Sequence, residues 1–323
     1  MKRREFITLF GGAAAWPLAA RAQNSMPVVG WLQLGPSPMQ TGQGGPAFLQ
    51  ALRENGFIEG RNLEFDLRWG PSDDLPALAN ELIRRRVTVI RAGGPPAVRA
   101  AMAATSTIPI VFSMGEDPVK EGVVASMSRP GGNVTGYTNF SNQLVAKRVG
   151  LLREIVPTAT TFGFLANETN PNIDPDTAEV KAAAEALGLS LRLFTAGTER
   201  ELQMAFDAMT RQRIDALLVG VDPWFRSRRE QIVALVARYA VPASYERRDF
   251  AEAGGLMSYG TDENERERQM GLYIARILKG AKPADLPVQQ ATKFEFILNF
   301  KTAKALGLSV PFSLRGLADE VIE

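Results

Sequence analysis

Val87-Thr88-Val89-Ile90, then Ile108-Pro109-Ile110-Val111-Phe112, then Asn133-Val134-Thr135-Gly136-Tyr137 are the runs whose reading decides the fold. Each is β-branched or aromatic and bounded by Gly, Pro or Asn, the pattern of a strand. Between the first two lie Gly93-Gly94-Pro95-Pro96 and an alanine-rich helical stretch ending at Thr105. Proline suits the first helical positions because an N–H there has no partner inside the helix. Strand, glycine turn, helix, strand is a βαβ unit and requires a parallel sheet. Ligands of such sheets sit beyond the carboxyl ends of the strands. Here those ends are Gly93-Gly94, Ser113-Met114-Gly115-Glu116-Asp117 and Asn139. This stretch is expected to form half of a binding site.

Working outward, Pro27-Val28-Val29-Gly30-Trp31-Leu32 reads as a first strand, and residues 46–55 as a helix stopped by Gly56. Leu63, Phe65, Leu67 and Trp69 alternate on one face of a strand. Residues 75–86 form a helix with Leu75, Leu78, Ala79, Leu82 and Ile83 inward. A helix over residues 143–156 is closed by Pro157, and then the β/α alternation starts afresh. Strands are expected over 161–165, 189–194, 215–221 and 241–245, with helices over 176–187, 199–212 and 226–239 between them. A strand at 255–259, a long helix capped by Asp262 and a strand at 294–299 follow.

The chain has 323 residues, 45% hydrophobic and 22% charged, a globular composition long enough for two domains. It contains no cysteine and no histidine. That removes disulfides, thiolate nucleophiles, most zinc sites and every Ser–His or Cys–His catalytic pair. An enzyme made from this chain would have to work with Asp, Glu, Lys, Ser, Thr, Tyr or Arg, and no cofactor is expected. Lys2-Arg3-Arg4-Glu5-Phe6-Ile7, an apolar run and Ala20-Arg21-Ala22 read as a signal peptide over residues 1–22, similar to a twin-arginine export signal. Cleavage is expected after Ala22, with a periplasmic destination and no stable membrane insertion afterwards. The leader carries Lys2, Arg3, Arg4 and Arg21 against Glu5, so the formal charge of +2 falls to −1 without it. A near-neutral chain has no general pull toward nucleic acid.

Four phrases are specific. They are Asp117-Pro118-Val119-Lys120-Glu121-Gly122, then Ser128-Arg129-Pro130-Gly131-Gly132-Asn133-Val134-Thr135-Gly136, then the stretch 277–288 (ILKGAKPADLPV), then the stretch 294–307 (FEFILNFKTAKALG). Together they make the chain resemble a family of solute-binding proteins of ATP-binding cassette (ABC) transporters, some of whose members take aromatic amino acids. The resemblance implies an α/β fold of two doubly wound parallel-sheet lobes joined by a three-crossing hinge, the type I periplasmic binding protein. It implies a first lobe of 27–139 plus 252–284 and a second of 143–247 plus 288–312. The crossings would lie near 139–143, 247–251 and 284–288. It implies no catalysis. The expected role is capture of a small carboxylate-bearing ligand, an amino acid or aromatic acid, between the lobes and its delivery to the membrane subunits of an ABC permease. An enzyme using Asp117, Asp222 or a lysine is the weakest alternative. A periplasmic sensor feeding a membrane receptor would use the same cleft.

Gly93-Gly94 before a helix N-terminus can cradle a carboxylate or simply turn the chain. Ser113 can donate to the same carboxylate. Asp117 before Pro118 is either the partner of a ligand ammonium or a helix N-cap, and capping is the simpler reading. Asp222 before Pro223 carries the same pair of readings on the opposite lobe. Asn167 also ends a second-lobe strand. Gln33, Met114 and Asn139 complete the strand-end set, and Trp31, Tyr137, Tyr245 and Tyr259 are its aromatic candidates. Residues 129–133 lack the lysine and serine of a phosphate loop and read as a plain turn. Arg226, Arg228 and Arg229 read as a solvated helix face.

Overall fold

The computed structural model describes residues 26–35, 37, 45–140, 144–170 and 173–323. The expected leader, residues 1–22, lies outside the described residues. Among the described residues no helix is long and apolar enough to cross a membrane.

The first lobe opens with β1 (Val28–Leu34), α1 (Pro46–Glu54), β2 (Glu64–Gly70) and α2 (Leu75–Arg84). It continues through β3 (Val89–Gly93), α3 (Pro95–Ala104), β4 (Ile110–Met114) and β5 (Val134–Thr138). The second lobe holds α4 (Leu144–Ile155), β6 (Thr161–Ala166), α5 (Ile173–Ala186), β7 (Ser190–Thr195), α6 (Glu199–Arg211) and β8 (Ala216–Val219). Then come α7 (Pro223–Ser227), α8 (Arg229–Arg238), β9 (Ala243–Tyr245), α9 (Arg248–Glu252) and β10 (Met257–Thr261). The chain ends with α10 (Glu263–Leu278), β11 (Gln289–Gln290), β12 (Phe294–Asn299), α11 (Phe300–Ala305), α12 (Phe312–Leu317) and β13 (Glu320–Ile322).

Two sheets result. The first runs β11-β5-β4-β3-β1-β2 and is parallel throughout. The second runs β13-β12-β10-β9-β8-β6-β7, with β12 antiparallel to β10. Both contain the doubly wound order in which the first strand sits between the second and the third. The inner strands of each sheet are buried on both faces, which is why they read as continuous apolar runs, while the edge strands β2 and β7 are not. In the first lobe Leu82, Val98 and Phe112 belong to one core, while Trp31, Phe48, Tyr273 and Ile274 belong to the other. In the second lobe the two cores are built around Phe162 and Leu152, and around Phe206 and Phe225.

The lobe boundaries differ from the sequence expectation in two places. The strand expected to return to the first lobe, now β10, stays in the second sheet, between β9 and β12. The five-residue α9 is too short to carry the chain elsewhere, so β10 lies down beside β9. Only α10 goes back, packing on α1, where Gly271 lets the Phe48 carbonyl approach: a Cβ there would stand 2.7 Å from that oxygen. The crossing is therefore at residues 261–263, not 247–251. Likewise β11 pairs with β5 of the first sheet, which moves the last crossing from 284–288 to 291–293. The remaining crossing follows Thr138 and includes residues 141–143, outside the described residues. The helix expected over 226–239 is two, α7 and α8, broken at Arg228.

Gly260 on β10 faces the Glu246 carbonyl, and a Cβ at this position would come within 1.8 Å of that oxygen. Backbone cannot yield as a side chain can. We expect Gly260→Ala to destabilise the protein by about 1–3 kcal/mol, the usual cost of overpacking, read as a lower urea midpoint at unchanged slope.

Candidate functional site

Each sheet reverses its winding at one point, and both points open on the same cavity. In the first sheet the switch lies between β1 and β3, where Gln33 and Gly93 pair in register. In the second it lies between β6 and β8, beyond Leu165 and Val219. The cavity between the lobes measures about 160 Å³ and is walled by strand ends from both sheets.

The Gln33 side chain lies across Gly93. A Cβ on residue 93 would meet Gln33 Oε1 at 2.0 Å, so the bare glycine is what lets the Gln33 amide lie here and a larger residue would push it aside. The backbone grip expected of this turn is not available. The Gly94 N–H donates to the Ser113 carbonyl at 2.9 Å, and the Asn139 N–H to the Met114 carbonyl at 3.2 Å. The Gly115 N–H donates to the Glu116 carboxylate at 3.0 Å. Pro95 and Pro96, the first residues of α3, have no N–H at all. Side chains remain: among the described residues, neither the Ser113 hydroxyl nor the Asn139 amide has a protein partner. Both residues line the cavity.

On the opposite wall Asp222 is at once N-cap and cavity residue. Its Oδ1 accepts from Trp224 N at 2.8 Å, Phe225 N at 3.1 Å and Asn167 Nδ2 at 3.1 Å. Its Oδ2 accepts from Asn170 Nδ2 at 2.9 Å. A carboxylate offers about two lone pairs per oxygen, so Oδ2 has room for one further donor. Burial raises the Asp222 pKa, and the hydrogen bonds from Asn167, Phe225, Asn170 and Trp224 only partly oppose this.

Four arginines that the strand-end rule does not reach complete the wall: Arg91, Arg226, Arg247 and Arg266. Arg91 projects from β3 and donates through Nη2 to both oxygens of Glu267 on α10, at 2.8 and 2.9 Å. Its guanidinium carbon stands 3.7 Å from the centre of the Trp31 ring, and its Nη1 is buried without a partner among the described residues. Arg226 lies 3.6 Å from Asp249 and 3.9 Å from Glu263. Arg247 and Arg266 both pair with Glu263, and Arg266 also reaches Glu267 at 3.2 Å. Four cations are thus ion-paired to three carboxylates, Asp249, Glu263 and Glu267, and Glu246 also acts on Arg247 and Arg266. Burial brings the Arg226 pKa down to about 10, so it stays cationic at neutral pH. Burial pushes the Glu267 carboxyl up, but Arg91 and Arg266 outweigh it and hold the group below the usual range.

Three further carboxylates, Glu116, Asp176 and Glu246, line the same cavity. Behind Glu246 stands Arg148 of α4, almost wholly buried, donating to the Val219 and Ser244 carbonyls at 2.6 and 3.1 Å.

Eight of the residues expected from sequence line this cavity: Gln33, Gly93, Gly94, Ser113, Met114, Asn139, Asp222 and Tyr245. The others do not. Trp31 and Tyr137 are packed in the first-lobe core beneath α1 and α10. Tyr259 packs against Phe294 and Phe296 in the second lobe. Asp117 accepts from Val119 N at 2.9 Å and Lys120 N at 3.3 Å, which is the capping turn and not a ligand contact. Asn167 lines an adjoining small recess and holds Asp222. Arg226, read as solvated, is only 7% exposed. Its position one turn into α7, after a capping aspartate at a strand end, is the signal that could have placed it.

The family model described as ABC transporter substrate binding protein matches residues 35–322. A tyrosine-binding protein of Clostridioides difficile (strain R20291) is 25% identical over 264 residues, 81% of this chain and 75% of the relative. An ABC domain from Streptococcus pneumonia, solved in complex with L-Trp, superposes with a TM-score of 0.79 at 27% identity, covering 92% of this chain and 100% of that one. The ligand-free, open structure of a substrate binding protein with adhesive properties from Clostridium difficile gives 0.64 at 25% identity, covering 92% and 99%.

Breaking the Arg91–Glu267 pair on one side leaves a buried charge alone. We expect Glu267→Ala to cost about 3–5 kcal/mol, measured by urea unfolding. Combining Arg91→Met with Glu267→Leu should restore most of that loss. Because the folded Glu267 pKa is depressed, its contribution is present above the unfolded value of about 4.3 and is lost as pH falls through the folded one.

Proposed function

This chain belongs to the family of ABC transporter substrate binding proteins, and from that premise we propose that it is an exported receptor for an amino acid with an aromatic side chain. The lobes close over the ligand and deliver it to the membrane permease. The carboxylate sits against Ser113, Asn139 and the arginine belt. The ammonium sits against Asp222 Oδ2. The observation that carries this reading is that one cavity holds both partners a zwitterion needs: an arginine belt in which Arg91 Nη1 has no partner among the described residues, and a buried aspartate whose Oδ2 has room for a further donor. A zwitterion satisfies both groups at once, and a simple aromatic acid satisfies only one.

Two relatives support the ligand class, one by its name as a tyrosine-binding protein and one by its bound L-Trp. Apolar surface from Leu34, Met114, Pro223 and Phe250 would take the ring. Superposition is better on the L-Trp complex than on the open, ligand-free relative, 0.79 against 0.64 at similar identity, which supports a closed arrangement of the lobes here. Closure requires that the ligand bind the closed form more tightly, since equal affinity shifts nothing. The basic, apolar start of the chain and Ala20-Arg21-Ala22 support export to the periplasm.

The test is thermal unfolding with L-Tyr, L-Trp and L-Phe, each beside its decarboxylated amine and its deaminated acid. A true ligand at 100 times its dissociation constant adds about 2.7 kcal/mol of stability. Each truncated analogue should bind at least about tenfold more weakly, as should the natural ligand to Asp222→Ala, because a hydrogen bond to a charged group is worth about 1.5–3 kcal/mol. The absence of any shift across the amino acids at millimolar concentration would refute the reading.

A further inference from the structure

The cavity carries carboxylates from both lobes. Glu116 follows β4 in the first lobe. Asp176 lies in the first turn of α5 and Glu246 follows β9, both in the second. All three line the one cavity. Closing the lobes therefore brings carboxylates toward each other while water is withdrawn from between them. Two like charges sharing a poorly hydrated site do not both ionise freely. We infer that closure of the lobes is coupled to the uptake of one proton at this carboxylate group, with Asp176 as its principal carrier.

The surroundings of Asp176 favour that assignment. Glu179 lies on its own helix, Glu116 comes from the β4 end and Glu246 from the β9 end, and all three raise its affinity for a proton. Arg148 of α4 supplies the opposing positive charge, and it is spent on two carbonyls. Arg99 and Glu121 face Glu116, and Lys120 faces Glu179. Asp222 and Asn170 share the small recess beside Asp176. Burial first, then the three carboxylates, lift the Asp176 pKa to about 7 in the closed form. With the lobes apart, Glu116 and much of the burial are removed, and the group returns toward an ordinary aspartate near about 3.9. A group whose closed-form pKa is raised favours closure below that pKa. That contribution fades as pH rises through about 7.

The inference rests on the receptor reading only in taking lobe closure as the working motion, so its test uses no ligand. The chain has no cysteine, and Glu59→Cys with Leu187→Cys places one spin label on an exposed site of each lobe. Pulsed-dipolar distances should show the closed-to-open ratio rising by about tenfold from pH 8 to pH 6. Asp176→Asn should abolish the response and favour the closed distance at both pH values. Glu116→Gln, which leaves α5 untouched, should shrink it. Identical distributions at pH 6 and 8, or a full response persisting in Asp176→Asn or in Glu116→Gln, would overturn the proposal. A flat pH response leaves amino-acid capture standing, and a failed ligand screen leaves this result standing.

Discussion

Arg91 and Glu267 are 176 residues apart in the chain and are joined by a fully buried ion pair. The two-lobed arrangement depends on that joint. The chain builds five strands of the first sheet, leaves, completes most of a second sheet, and must then bring a sixteen-residue helix back to cover the open face of the first. Apolar contacts from Met270, Tyr273 and Ile274 supply the adhesion. They do not fix rotation or register by themselves, because hydrophobic burial is non-directional. A charge pair in a dry interior does, since any other placement strands a guanidinium or a carboxylate away from water. The Trp31 face under Arg91 adds a second geometric restraint.

The same helix carries the site chemistry into the hinge. Asp262 caps α10 by accepting from Glu265 N at 3.1 Å, immediately after the chain crosses between lobes. Within its first turn lie Glu263 and Arg266, which tie Arg226 and Arg247 of the second lobe to Glu267 and Arg91 of the first. The network is continuous from one switch point to the other. In a low-dielectric cavity such a network holds its donors in place before a ligand arrives, so little has to reorganise on binding.

Much of this was legible in the chain. Periodicity, glycine turns and proline starts pointed to two β/α lobes, and the rule that ligands sit beyond strand ends pointed to Gln33, Gly93, Ser113, Asn139 and Asp222. What escaped had physical reasons. Three of the four aromatics missed the cavity, Tyr245 alone lining it, because alternation decides whether a strand residue faces core or cleft. Trp31 and Tyr137 fall on core-facing positions of β1 and β5, and composition near a strand end carries no parity. The arginines failed because a long charged side chain normally means solvent. Their burial is compensated by acids remote in sequence, a pairing that only the tertiary fold reveals. The return of β10 failed because strand and following helix read as one unit, and the boundary between lobes is marked only by a capping aspartate. The backbone grip on a carboxylate failed for a reason that was visible: Pro95 and Pro96 remove the donors such a grip requires.

Placing Glu263 and Arg266 at the pivot has a consequence for how this protein can diversify. In a receptor whose recognition groups sit on loops away from the pivot, substitutions can change preference and leave mechanics alone. On the proposed reading the first turn of α10 serves both, because Arg266 lines the cavity and pairs with Glu263 at the crossing. A replacement there that retunes which solute is held would also alter the stiffness of the joint. Selection for a new cargo therefore drags opening kinetics along with it, and directed evolution on this scaffold would do better to begin at Met114, Pro223 and Phe250, which touch the cavity and carry no part of the ionic joint.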